Sequence, residues 1–289
     1  MATTAEWVEG ARLRTLPAAI APVAVGTGAA AEMGSAHLGR AALAAGVALA
    51  LQVGVNYAND YSDGIRGTDV DRVGPMRLTA SGAARPGQVR AAAFAAFAVA
   101  ALLGLALVAL SGHWWLLAVG AVAVAAAWGY TGGRTPYGYR GLGEVGVFVF
   151  FGLVATLGTT YTQADGVSWA AAVGAVAIGL LACALLMVNN LRDIPTDVVA
   201  GKRTLAVRLG DFRARRVYAV LVTLPIALGA VCAFASPWAA LVLILALPAG
   251  ALAATVLLGA RGVLLRPVLA GTGLLELAFG LVLGLGLAI

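Results

Sequence analysis

The sequence predicts an all-α, polytopic membrane protein: nine transmembrane helices, arranged as two four-helix-type repeats around a central cavity open to the cytosol. Three observations predict it. The 289 residues are 61% hydrophobic and only 11% charged, with a mean hydropathy of +0.93, whereas about 25% charge is usual for a soluble domain. The apolar residues fall into nine segments, each near the roughly 20 residues that cross a bilayer as a helix. A pattern of amides and acids after the second segment returns after the sixth, 130 residues later.

The apolar segments run over 17–33, 39–60, 89–111, 114–131, 143–163, 168–190, 213–235, 238–260 and 267–288. Glycine and alanine are abundant throughout them, and small residues permit close helix packing in lipid. The longest polar stretches are only the loops 61–88 and 191–212, so a single transmembrane domain covers 1–289. No cleavable signal peptide is expected: Glu6, Glu9, Arg12 and Arg14 precede the first span without a convincing small-residue cleavage site. Cys183 and Cys232 lie inside apolar spans and read as packed thiols rather than a disulfide or zinc pattern.

Basic residues set the orientation. With the N-terminus in the cytoplasm and the C-terminus outside, 18 of the 19 Lys and Arg fall on inner segments and only Arg40 on an outer one. That asymmetry is the positive-inside rule, and it accounts for the net charge of +6 without nucleic acid. The outer turns are short. Trp114, Trp169 and Trp238 beside them read as an interfacial belt, and His37 and His113 as solvated residues.

The chemistry is concentrated in the two acidic stretches. NYANDYSDGIRGTDVDR, 56–72, places Asn56, Asn59, Asp60 and Asp63 at i, i+3, i+4 and i+7, on one helix face. NNLRDIPTDVVAGKR, 189–203, places Asn189, Asp193 and Asp197 at i, i+4 and i+8. Pro195 between these acids either kinks the helix or ends it near Ile194. Acids at the edge of apolar spans are costly unless something charged binds them. Carboxylate and amide oxygens suit Mg²⁺, which is commonly shared between protein carboxylates and substrate phosphates. Phosphate-compatible cations follow the acids of each cluster: Arg72 and Arg77 after the first, Lys202 and Arg203 after the second. Such a set neutralises a leaving diphosphate.

The third inner loop, YTGGRTPYGYRGLGE, carries Tyr130, Tyr137 and Tyr139, whose rings can attract a developing carbocation. Its Gly141-x-Gly143-x-x-Gly146 run is no dinucleotide fingerprint, because no strand precedes it. Glu276 is the one acid deep within a span; both a protonated structural group and a substrate contact fit it. A transporter also carries repeats and intramembrane acids, but here the acids gather at one face and no midplane polar site is evident.

These residues resemble the UbiA superfamily of intramembrane aromatic prenyltransferases, over nearly the whole chain. The resemblance rests on Asn59-Asp60 and Asp63 in the first motif and on Asp193, Asp197, Gly201, Lys202, Arg203 and Thr204 in the second. Gly67 stands where the family's first motif has its last Asp, and Asp69 follows two residues later as a candidate replacement. The RVGPMR run and PYGYRGLGE are most similar to the branch acting on 1,4-dihydroxy-2-naphthoate in menaquinone synthesis. The resemblance implies an enzyme of the cell membrane that binds a polyprenyl diphosphate through Mg²⁺ held by Asn59, Asp60, Asp63, Asp69, Asp193 and Asp197. Asp60, Asp63, Asp193 and Asp197 would be catalytic in that reading. Asn56, Arg72, Arg77, Asn189, Lys202, Arg203 and the three tyrosines would contact substrate, and Arg14 an anionic group on it. The acceptor loses CO₂ on prenylation. A sister enzyme using 4-hydroxybenzoate or a phytyl donor is the nearest alternative.

Overall fold

Apolar backbone in a bilayer has no water to bond, so it must satisfy its own N–H and C=O groups, and helices do this within one segment. The computed structural model describes residues 2–68 and 76–289, and among these no strand occurs. The elements are α1 (Thr4–Gly10), α2 (Pro17–Glu32), α3 (Leu38–Ile65), α4 (Pro86–Ser111), α5 (Leu116–Gly129), α6 (Gly143–Ala164), α7 (Trp169–Val199), α8 (Leu205–Val231), α9 (Pro237–Leu257) and α10 (Leu265–Ala288). Among the described residues seven of these, α3, α4 and α6 to α10, are long and apolar enough to cross a membrane. The apolar α5 has 14 residues and α2 has 16; both coincide with expected segments.

Local chemistry sets the boundaries. Pro17 and Pro86 begin α2 and α4, where a missing N–H costs nothing. Ser168 and Thr204 cap α7 and α8 by accepting from the N–H groups of Ala171 and Val207. The helix expected to start at 213 begins earlier, at Leu205, because a short turn precedes it; Gly210, at φ 72°, breaks the two apart. Pro195 does not end α7, which runs unbroken to Val199 and carries Asn189, Asp193 and Asp197 of the second motif on one helix.

Packing follows the small residues. In α2 and α10, Gly28 and Gly284 meet so closely that a Cβ on Gly28 would lie 2.1 Å from the Gly284 carbonyl oxygen, and a Cβ on Gly280 would lie 2.6 Å from the Ala21 backbone. This is how α10 returns to lie against the first apolar helix. In α7, 67% of the apolar stretch is buried, more than in any other spanning helix described, so α7 is the central post. One hydrophobic cluster joins α2 and α7 to α10; a smaller one joins α3 and α4 to the 76–84 loop. A cavity is lined by residues of α2, α3, α6 and α7 together with α4, α5 and the start of α10.

Arg40 and His113, both read from the sequence as lying near short turns, each have a specific partner. Arg40 donates to the Thr162 and Leu110 carbonyls at 2.9 and 2.7 Å. The Arg40 guanidinium is thereby placed against two helix C-terminal ends, where positive charge is favoured. His113 is not merely solvated: its Nε2 lies 2.8 Å from Asp165 Oδ1.

Candidate active site

The cavity has a volume of about 1420 Å³, above the 300–1,000 Å³ usual for small-molecule sites. On α3 it is lined from Ala44 to Asp63, which is about 28 Å at 1.5 Å per residue. One end is apolar, built from Leu105, Val108, Leu117 and Phe151 among others; the other holds both acidic motifs. Phe150 and Phe151 both line the wall because α6 widens into a π-helical stretch over Phe148–Val154. Gly152 allows this by packing against Ala175 and Gly179 of α7.

On α3, Asn56, Asn59 and Asp63 line the cavity as their spacing predicts. Asp60 lies at one edge of that face and is used differently. Its carboxylate accepts from the backbone N–H groups of Leu78 at 2.8 Å and Thr79 at 2.9 Å, so it pins the returning loop and is not part of the cavity lining. That loop delivers Arg77, whose guanidinium stands 3.5 Å from Asp63. Asn56 donates to the Ala11 carbonyl and to Thr15 Oγ1, both at 2.9 Å, fastening the segment that carries Arg14 to the cavity rim. Asn59 Oδ1 accepts from the Thr131 hydroxyl at 2.7 Å.

Asp63 is the hub. Besides Arg77, it accepts from the Tyr139 hydroxyl and lies 3.5 Å from Lys202 Nζ. Lys202 follows the second motif, so the two motifs meet at this residue. The Lys202 ammonium also lies 4.8 Å from the Tyr139 ring centroid, and Arg66 lies 5.5 Å from it while donating to the Thr131 and Gly133 carbonyls. Burial, then the nearby Asp63 carboxylate, raise the Tyr139 pKa. Burial alone pushes Tyr137 up to about 12. Both phenols therefore stay neutral at physiological pH, as donors and as π faces. Tyr130 packs edge-on against Tyr137, with centroids 5.5 Å apart, and all three tyrosines line the cavity.

On α7, Asn189, Asp193 and Asp197 line the same space. Arg192 forks onto Asp193, with Nε–Oδ1 and Nη2–Oδ2 both at 2.7 Å, and Nη2 also reaches Asn189 Oδ1 at 2.9 Å. The turn after α7 is closed by Lys202 N–H to the Asp197 carbonyl at 2.8 Å and Arg203 N–H to the Tyr139 carbonyl at 2.9 Å. Arg203 thus ties the loop between α5 and α6 to the second motif through its backbone, and it is not among the cavity-lining residues. Asp69 and Arg72 lie outside the described residues.

Sequence reasoning passed over Arg192, Thr131, Arg66 and the pair Glu144–Asn190. Arg192 had a signal, being i+3 from Asn189 and adjacent to Asp193; the others are joined only by tertiary contacts. Among the described residues no three His, Cys, Asp or Glu side chains gather closely enough to hold one ion by themselves. The oxygen donors Asn59, Asp63, Asp193 and Asp197 do line one cavity. That donor set fits Mg²⁺, which keeps several waters and is usually held by one or two carboxylates together with substrate phosphate.

A helical bundle with an apolar cavity whose polar end pairs acids with Arg and Lys is a membrane protein built for an amphiphilic, anionic ligand. The profile of the UbiA prenyltransferase family matches residues 19–287, and the chain belongs to that family. Its curated relatives include the 1,4-dihydroxy-2-naphthoate octaprenyltransferase of Mycobacterium tuberculosis, 55% identical over 100% of this chain and 98% of that protein. The Escherichia coli protein of the same name is 42% identical over 75% of this chain and 73% of its own length. Among solved structures, a UbiA homolog from Archaeoglobus fulgidus bound to GPP and Mg²⁺ superposes with a TM-score of 0.69 at 15% identity, covering 98% of this chain and 99% of that one. A homolog from Aeropyrum pernix K1 gives 0.68 at 20% identity, covering 95% and 97%.

Proposed function

We propose that this protein transfers a polyprenyl group from polyprenyl diphosphate to 1,4-dihydroxy-2-naphthoate, releasing diphosphate and CO₂ and forming demethylmenaquinol. The observation that carries the reading is the meeting of the motifs: Asp63 lies 3.5 Å from Lys202 and from Arg77 at the polar end of a long apolar cavity. The full-length relatives named for this reaction point the same way.

The apolar length of the cavity takes the prenyl chain, and the polar end takes the diphosphate. Mg²⁺, held by Asp63, Asp193, Asp197 and Asn59 with Asp69 as a further candidate, would supply positive charge to the diphosphate oxygens. Asp60 serves this set by fixing the loop that bears Arg77. Arg77 and Lys202 add charge where the leaving group develops it, and Arg72 belongs to the same basic run. The allylic C–O bond breaks with its electron pair leaving on diphosphate. The rings of Tyr130, Tyr137 and Tyr139 face the cavity where the allylic cation forms. The electron-rich naphthoate carbon that bears the carboxylate attacks the cation. Loss of CO₂ then returns the electron pair to the ring. Arg14, at the rim, holds an anionic group of the acceptor.

The product assay tests this. Purified protein with Mg²⁺, an allylic polyprenyl diphosphate and either 1,4-dihydroxy-2-naphthoate or 4-hydroxybenzoate is expected to yield a prenylated, decarboxylated naphthoquinol with the first acceptor alone, and none after EDTA. Product with 4-hydroxybenzoate alone would discard the naphthoate assignment. Absence of product and of EDTA-sensitive diphosphate release would overturn the enzyme reading.

We further propose that α2 to α10 cross the plasma membrane nine times, as two related bundles, with the N-terminus and the polar end of the cavity on the cytosolic side. The alternation of Lys and Arg between the two sets of loops supports this. Single cysteines placed near Arg77 and near Lys202, in a background lacking Cys183 and Cys232, are expected to react with impermeant maleimide only from the cytosolic face. Labelling from outside would reverse the orientation.

A further inference from the structure

Glu144 lies in the first turn of α6 and is buried, yet it is not among the cavity-lining residues. Its Oε1 accepts from Asn190 Nδ2 at 3.3 Å, and its backbone carbonyl accepts from the Cys183 thiol at 3.2 Å. Its Oε2 has no hydrogen-bond partner among the described residues. A buried carboxylate is costly, and the reaction as described above makes no use of it.

Asn190 does line the cavity, three residues before Asp193 on α7. An amide has a donor end and an acceptor end. Committing the NH₂ group to Glu144, which is outside the lining, frees the carbonyl oxygen to serve the cavity. The neighbouring amide is used the other way: Asn189 Oδ1 accepts from Arg192 and helps aim that residue at Asp193. Of two adjacent asparagines, one serves the acid cluster and the other presents an acceptor. Arg14, Arg77 and Lys202 of the same cavity supply donors, which suit anionic groups. An oriented carbonyl oxygen suits a neutral O–H.

We infer that Glu144 is a positioning residue: by holding the Asn190 amide, it directs that carbonyl oxygen at a ring hydroxyl of the aromatic acceptor and so decides which ring carbon meets the allylic cation. The inference rests on the prenyl-transfer reading above. Glu144 touches no substrate, and its effect passes through Asn190.

Two-substrate kinetics with product masses test it, using Glu144→Leu, Glu144→Gln, Asn190→Leu and the Glu144→Leu/Asn190→Leu double variant. Glu144→Leu is expected to raise the KM for the naphthoate about tenfold, the size of one lost oriented hydrogen bond. The KM for polyprenyl diphosphate should stay within about twofold, since no diphosphate contact changes. Part of the product should retain its carboxylate, from attack through the wrong carbon. Glu144→Gln keeps an oxygen for the same bond and should restore both readouts. The double variant should be no worse than Asn190→Leu. Should Glu144→Leu fail to fold, Asn190→Leu against Glu144→Gln reads the same contrast. Additive effects, equal rises in both KM values, or unchanged product masses in every variant would overturn the inference while a working wild type preserves the parent reading. A wild type that never alkylates the naphthoate would remove both.

Discussion

Asp63→Asn is expected to abolish turnover while leaving the protein folded and monodisperse in detergent. The substitution keeps size and an acceptor for the Tyr139 hydroxyl, so the shape of the site survives. What is lost is the negative charge that opposes two cations, buried Arg77 and half-buried Lys202, each 3.5 Å away. Removing one partner of a buried charge cluster leaves the others uncompensated, and an amide oxygen is a weaker partner for a divalent ion. Loss of one oriented electrostatic group at a reacting centre typically costs about 10²–10³ in kcat. Here metal and cations depend on the same residue, so a fall of at least about 10³ is expected, measured as product formed at saturating donor. Asp60→Asn is the internal contrast. Its carboxylate is spent on the Leu78 and Thr79 N–H groups, so it should cost less and act through the position of Arg77. A near-normal rate for Asp63→Asn would remove Asp63 from the proposed metal site.

Asp193→Asn should be equally severe, for a different local reason. The Arg192 guanidinium makes two 2.7 Å bonds to that carboxylate and is itself buried. Such charge-assisted, bidentate pairs are about twice as strong as neutral ones. Asparagine offers one oxygen instead of two and no charge, so Arg192 loses its anchor as the site loses an acid. Arg192→Lys tests the geometry: a point charge cannot reproduce the fork, and a fall of about tenfold in kcat, with the protein still folded, is expected. If Asp193→Asn keeps wild-type turnover, Arg192–Asp193 is a packing device and the catalytic centre rests on Asp63 and Asp197 alone.

The helices were legible because water exclusion leaves apolar backbone few choices. Expected and observed boundaries for α3, α4, α6 and α7 start within about three residues of one another. Where they part, the cause is local: α7 carries its second motif past Pro195, because the proline removes one intrahelical bond without stopping a helix whose neighbours hold it. The first motif was legible as a helical face, Asn56, Asn59 and Asp63, since i, i+3, i+4 and i+7 positions share a side wherever a helix forms. Spacing could not divide that face. It grouped Asp60 with the others, and only the return of the 76–80 loop turned that carboxylate onto two backbone N–H groups. Nor could spacing tell which of two adjacent cations reaches the cavity. Lys202 does, whereas Arg203 closes a turn with its backbone.

By itself, then, the sequence determined that this protein is helical, built for a membrane, and supplied with two acid-bearing helix ends of one chemical kind. Periodicity and hydropathy act within a single segment, so they carry that information locally. The tertiary structure alone decided that Lys202 of one motif stands at Asp63 of the other, and that Glu144 holds Asn190. Those contacts join residues 139 and 46 positions apart, and such distances are closed by packing of helices against one another, for which no local pattern in the chain is a signal.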